Sequence, residues 1–204
     1  MRIATVSSAA IALSMLAAPA AHAVVIGTLG NNGSAFVTID SLGSRTGGTI
    51  YTADQPFADI PAGGVYNNQF LASGPSSGTP PGTPAVITFN QPLTYLSFLW
   101  GSPDLYNKLT LTTNVGTYSF DVAGLNFAVT NGNQAFSQYV QFQTSAGEYL
   151  KTAKFDVTSP IDAFEVANFR TGVPEPATWA LMIVGIGFAG AAMRRRQTVS
   201  LKYA

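Results

Sequence analysis

Along the middle of the chain, apolar and polar residues alternate with a period of two, in short runs broken by Gly, Pro, Asn and Ser. Residues 35 to 39 alternate, with Phe36 and Thr38 opposite Val37 and Ile39. Val86–Phe89, Leu93–Trp100, Leu109–Thr112, Tyr118–Val122, Phe136–Phe142, Phe155–Val157 and Phe164–Val166 continue the series. Side chains that alternate faces, in runs rich in β-branched and aromatic residues, are the signature of half-buried strands. No body segment carries a capped helical stripe. About eight or nine short strands with turn residues between them predict an all-β fold, a β-sandwich of jelly-roll type. Turn chemistry places tight bends at Gly30-Asn31-Asn32-Gly33, Asn114-Val115-Gly116 and Asn131-Gly132-Asn133. Gly74 to Pro84 reads as a loop or a break in the sandwich. No internal repeat is present.

The two ends lose the alternation and become continuously apolar. Met1-Arg2, the run Ile3–Leu16 and the small residues up to Ala21-His22-Ala23 read as a secretory signal peptide, residues 1–23, cut after Ala23. At the other end, Ala177 to Met193 holds no charge. As a helix it is about 25 Å long, close to the thinnest span a bilayer accepts. Trp179 stands where an interfacial anchor belongs, and Arg194-Arg195-Arg196 stands where a positive-inside stop belongs. The expected organisation is an ectodomain over 24–172, a C-terminal signal over 173–196 with a transmembrane helix at 177–193, and a cytoplasmic tail over 197–204.

Charge sharpens this division. The 204-residue chain carries 10 Lys+Arg and 10 Asp+Glu, for a formal net charge of zero. Between the ends, five basic residues face nine acidic ones, which leaves −4. An acidic body without a basic patch excludes nucleic acid as a partner. There is no Cys, and the single His is His22, inside the segment expected to be removed. Ser-His-Asp and Cys-His catalysis and the usual zinc sites are therefore excluded from the mature body.

Pro174-Glu175-Pro176, Trp179, the Gly-rich apolar helix and the Arg cluster, in that order, resemble the PEP-CTERM sorting signal of exosortase-dependent bacterial surface proteins. The resemblance covers about 25 residues. It implies recognition by a multi-spanning, transpeptidase-type membrane protease that cuts near Pro-Glu-Pro, after anchoring in the bacterial inner membrane. The chain departs from that pattern in continuing from Gln197 to Ala204. Gly185, Gly187 and Gly190 also spell G-x-G-x-x-G. A dinucleotide site would need a preceding strand and an acid about 20 residues on. Only 14 residues follow Gly190 and none is acidic, so the reading is a smooth helix face suited to close helix approach.

Within the body, Phe98-Leu99-Trp100-Gly101-Ser102-Pro103-Asp104-Leu105-Tyr106-Asn107-Lys108-Leu109 resembles a motif of exosortase-dependent surface proteins, of the form W-G-S-x-D-x-Y-N-x-L. Phe164-Glu165-Val166-Ala167-Asn168-Phe169 resembles their closing strand. The resemblance implies a β-sandwich ectodomain and no established catalytic activity.

Trp100, Ser102, Asp104, Tyr106 and Asn107 form the candidate ligand loop. Asp104 and Asn107 offer oxygens to Ca²⁺, which takes six to eight, although the loop lacks dense acidic spacing; the alternative is an Asx-type turn. No other cofactor is expected. Trp100, Tyr106, Tyr66 and Tyr95 could stack on sugar, with Asn67, Asn68, Asn107 and Gln69 as amide partners, although sandwich aromatics are more often core. A glycosidase needs two facing carboxylates, and nothing in the spacing of the nine acids singles out a pair. The expected function is a non-enzymatic cell-surface or matrix protein, sorted by exosortase and associated with exopolysaccharide or biofilm. The alternatives are a lectin-like module and a secreted polysaccharide hydrolase.

Overall fold

A computed structural model describes residues 24–32, 35–74, 84–158, 163–172 and 178–195, with side chains of the last segment described for 183–191. Among the described residues there are eleven strands: β1 (Val25–Leu29), β2 (Gly43–Thr46), β3 (Thr49–Tyr51), β4 (Phe70–Ser73), β5 (Ala85–Leu93), β6 (Tyr95–Gly101), β7 (Asn107–Thr113), β8 (Thr117–Asp121), β9 (Ser137–Thr144), β10 (Leu150–Val157) and β11 (Phe164–Gly172). One helix follows, α1 (Thr178–Arg195).

The strands form two sheets, ordered β1-β9-β6-β11-β4-β3 and β2-β5-β10-β7-β8. Every described pairing is antiparallel. Consecutive strands pair only at β3–β4 and β7–β8, and every other connection between named strands carries the chain from one sheet to the other. The core is therefore shared. Phe98 of the first sheet meets Phe155 of the second at 5.4 Å between ring centroids, and Phe164 meets Phe155 at the same distance. Trp100 stacks on Phe164 at 4.3 Å and is fully buried.

Alternation explains the strands of the second sheet. In β7, Asn107, Leu109, Leu111 and Thr113 point inward and the residues between them are more exposed. The central strands β6 and β11 behave differently, with residues 96–101 and 164–169 all buried. Their outer face is covered by the excursion between β3 and β4. Tyr51, Phe57, Ile60 and Val65 pack there with Ala58, Phe70, Ala72, Ala163 and Ala167 in a second apolar cluster. Gly101 permits this approach, because a Cβ there would lie 2.9 Å from the Pro61 ring.

The all-β expectation holds, with eleven strands in place of eight or nine. Residues 35–38 are not a strand, and Ile39–Ser41 is a 3-10 turn. This segment passes from β1 in one sheet to β2 in the other, so it gains one backbone bond, Val37 N–H to Phe169 O at 2.8 Å, rather than a ladder. Asn114-Val115-Gly116 is the tight hairpin expected, closed by Thr113 N–H to Gly116 O at 2.8 Å. Neither of the other two proposed turns joins paired strands, since β1 and β2, like β8 and β9, lie in different sheets; Asn131 bridges to Asp104, and Gly33 lies outside the described residues.

The helix at 178–195 matches the expected position of the C-terminal apolar segment. Among the described residues, no helix is long and apolar enough to cross a membrane; α1 includes Arg194 and Arg195 in its last turn. The signal-peptide segment 1–23, the centre of the Gly74–Pro84 loop, Pro174-Glu175-Pro176, Arg196 and the tail 197–204 lie outside the described residues.

Candidate functional site

The chain leaves β6 through a left-handed residue, Ser102 at φ 31°, which turns the loop across the end of the sheet. Ser102 N–H donates to Phe136 O at 3.1 Å, and Gly132 N–H donates to Pro103 O at 3.1 Å. These bonds tie the β6–β7 loop to the segment before β9. Gly132 sits at φ +68°, a conformation that favours glycine. A Cβ there would lie 2.4 Å from Asp104 Oδ2.

The outcome is an open cleft of about 230 Å³. One wall is Pro56 and Phe57 from the β3–β4 excursion. The β6–β7 loop supplies Ser102, Asp104 and Tyr106. Asn131, Gly132 and Gln134 close the far side, and Ala163 and Glu165 form the floor. Among the described residues no basic side chain lines it.

Glu165 belongs to the outer face of β11. Phe164 and Val166 point into the shared core, while Ala163 and Ala167 pack in the second cluster on the other face, and Glu165 falls between them. It is 3% exposed. Ser102 Oγ donates to its Oε2 at 2.6 Å. Burial pushes the Glu165 carboxyl up to about 8; the Ser102 bond opposes this, and the negative charges of Asp59 and Asp104 add to it. Glu165 is therefore mainly a neutral acid at pH 7. Asp59 is also raised, by burial and then by Asp54. The Tyr106 hydroxyl donates to Asp104 Oδ2.

The structure divides the residues singled out in the sequence. Ser102, Asp104 and Tyr106 line one cleft. Trp100 sits behind them in the core and presents no face to a ligand. Asn107 is fully buried on the inward side of β7, and its side-chain amide has no partner among the described residues. It does not line the cleft, so Asp104 and Asn107 are not joint ligands there. The turn between them is closed by a backbone bond, Asn107 N–H to Asp104 O at 3.1 Å.

The other proposed sugar contacts scatter. Tyr66, Asn67 and Asn68 form a separate 3-10 turn. Tyr95 lies on the outer face of β6, where its hydroxyl donates to Gln141 Oε1 at 3.1 Å and accepts from Asn32 N–H at 2.9 Å. Sequence reasoning missed Glu165 and Gln134 as members of a site. The acid between Phe164 and Val166 carries no local signal of burial.

In α1, Ile183, Val184, Ile186 and Phe188 are all more than half exposed. A Cβ on Gly185, Gly187 or Gly190 would meet nothing within 4 Å. Trp179, Arg194 and Arg195 lie on the same helix.

Residues 172–196 match the family model of the PEP-CTERM protein-sorting motif. The C-terminal segment is thus a PEP-CTERM sorting signal. That motif implies an exported protein sorted to the cell surface by exosortase, a membrane enzyme. No curated protein and no solved structure matches the chain.

Proposed function

We propose that the chain is exported with loss of residues 1–23 and held in the bacterial inner membrane by its C-terminal helix. An exosortase-type protease then cuts near Pro174-Glu175-Pro176, and the freed sandwich works without catalysis among extracellular polysaccharide. The observation that carries this reading is the sorting motif over residues 172–196. Two others support it. The described part of α1 is apolar all round and exposed, which suits a lipid or helix partner. The body is acidic, Cys-free and His-free once residues 1–23 are removed.

The test is cell fractionation followed by intact-mass measurement. The surface form should lack Met1–Ala23 and everything beyond about Pro176, and Pro174→Ala with Pro176→Ala should hold the chain in the membrane. A full-length, membrane-bound product as the final form would overturn the sorting reading. The cleft beside Glu165 favours a second reading, a lectin-like module. A hydrolase is the weakest reading, and would require turnover of a polysaccharide that disappears when one carboxylate is changed.

A further inference from the structure

We propose that the cleft formed by Ser102, Asp104, Tyr106, Gln134 and Glu165 is a binding site for a neutral, polyhydroxylated ring, such as the terminal neutral hexose of a glycan. The proposal rests on the carbohydrate-facing role suggested above and assigns it a place.

The chemistry of the lining selects the ligand. Among the described residues no Lys or Arg lines the cleft, so phosphate, sulfate and uronate find no counter-charge there and would meet Asp104. A hard cation needs several converging anionic oxygens, and among the described residues no three of His, Cys, Asp and Glu are arranged to hold a metal. The walls are too polar for a lipid tail. A sugar ring instead offers hydroxyls that each donate and accept, and a C–H face. Gln134 is exposed at the rim and carries an amide that does both. Glu165, kept neutral by burial, adds one O–H donor and one carbonyl acceptor, and Asp104 adds acceptors. Phe57 and Pro56 supply an apolar wall for the ring face. The volume of about 230 Å³ suits a single ring rather than an extended oligosaccharide.

The arrangement is held before any ligand arrives. Tyr106 fixes the Asp104 carboxylate, Ser102 fixes the Glu165 carboxyl group, and Gly132 leaves the space Asp104 occupies. Such prior fixing lowers the ordering cost of binding. Among the described residues, the charged groups facing Glu165 are Asp59 on the β3–β4 excursion and Asp104 on the β6–β7 loop. Both disfavour its ionised form, so binding should weaken as pH rises through about 8.

The test is saturation-transfer NMR on the full-length chain in a zwitterionic, sugar-free detergent. The probes are methyl α-glucoside, methyl α-galactoside and methyl α-mannoside, with glucuronate as the anionic counterpart. Transfer to at least one neutral glycoside is expected, none to glucuronate, and at least a fivefold loss in Gln134→Ala, whose side chain is exposed and unimportant for folding. Glu165→Gln should keep binding and remove its fall above pH 8. No transfer to any neutral probe, equal transfer to glucuronate, or unchanged transfer in Gln134→Ala would overturn the site. So would a calcium-induced rise in melting temperature that Asp104→Asn abolishes. The mass measurement on the processed form reads the tail alone, so failure of either experiment leaves the other interpretable.

Discussion

Glu165→Gln should make the protein more stable, and increasingly so as pH rises. The carboxyl has an ordinary value of 4.5 and is pushed up to about 8 in the fold, chiefly by burial. Below pH 4.5, both the folded and the unfolded chain carry the proton, and the group's contribution is fully present. Between 4.5 and 8, the unfolded chain ionises and the folded one does not, so stability falls by up to ~1.4 kcal/mol per pH unit. Above about 8 the loss is complete, and a rise of this size makes it ~5 kcal/mol, a large share of the 5–15 kcal/mol typical of a domain. Glutamine cannot ionise, fills nearly the same volume and still accepts from Ser102 Oγ. Asp59, also raised, titrates in both proteins and largely cancels in the difference. Urea unfolding at pH 5, 6.5 and 8 reads the effect. With a slope near 2 kcal/mol per M, the gap between the two midpoints should widen by ~2 M across that range. Midpoints that move in parallel from pH 5 to pH 8 would refute the buried, neutral carboxyl.

Three further outcomes follow from the same geometry. Phe98→Ala removes a ring that touches Trp100, Phe142, Phe155 and Phe169; urea unfolding should show a loss of ~3–5 kcal/mol. Asn168→Ala removes a side chain that accepts from Tyr66 N–H and donates to Gly64 O and Tyr139 Oη, at a residue with φ 56°. Its cost should be ~2–4 kcal/mol by the same assay, and a change below ~0.5 would show these bonds to be idle. Gly187→Leu with Gly190→Leu fills open space on α1. Ectodomain melting should be unchanged while immunoblots show unprocessed chain accumulating in the membrane; normal processing would remove the smooth helix face from the sorting account.

The strands legible in the sequence are those long enough for alternation to repeat. All of β5 through β11 contain one of the alternating runs. The early strands are illegible for separate physical reasons. Gly43–Thr46 is a polar edge strand of four residues, with its Arg45 guanidinium bonded to Gly47 O and Gly48 O. Phe70–Ser73 is buried on both faces and shows no alternation at all. Residues 35–38 err in the opposite sense, alternating without a neighbouring strand to pair with. Alternation reports which side chains share a face, and pairing depends on what lies alongside.

The same distinction governs the site. The sorting signal was legible because its elements are contiguous, and a membrane enzyme reads a local stretch of chain. Ser102, Asp104 and Tyr106 were legible because polar turn residues cluster between two strands. Glu165 was not, since an acid between Phe164 and Val166 reads as the solvent-facing position of a strand. That face is covered because residues 56–65, about a hundred positions earlier in the chain, fold over it. Its raised pKa follows from that long-range contact, so a substitution such as Gly101→Ala, which would crowd Pro61 at 2.9 Å, should lower the Glu165 pKa by letting water in. Carbon-detected NMR titration of the Glu165 carboxyl in the variant would show it, and an unmoved value near 8 would mean that β11 alone buries the acid.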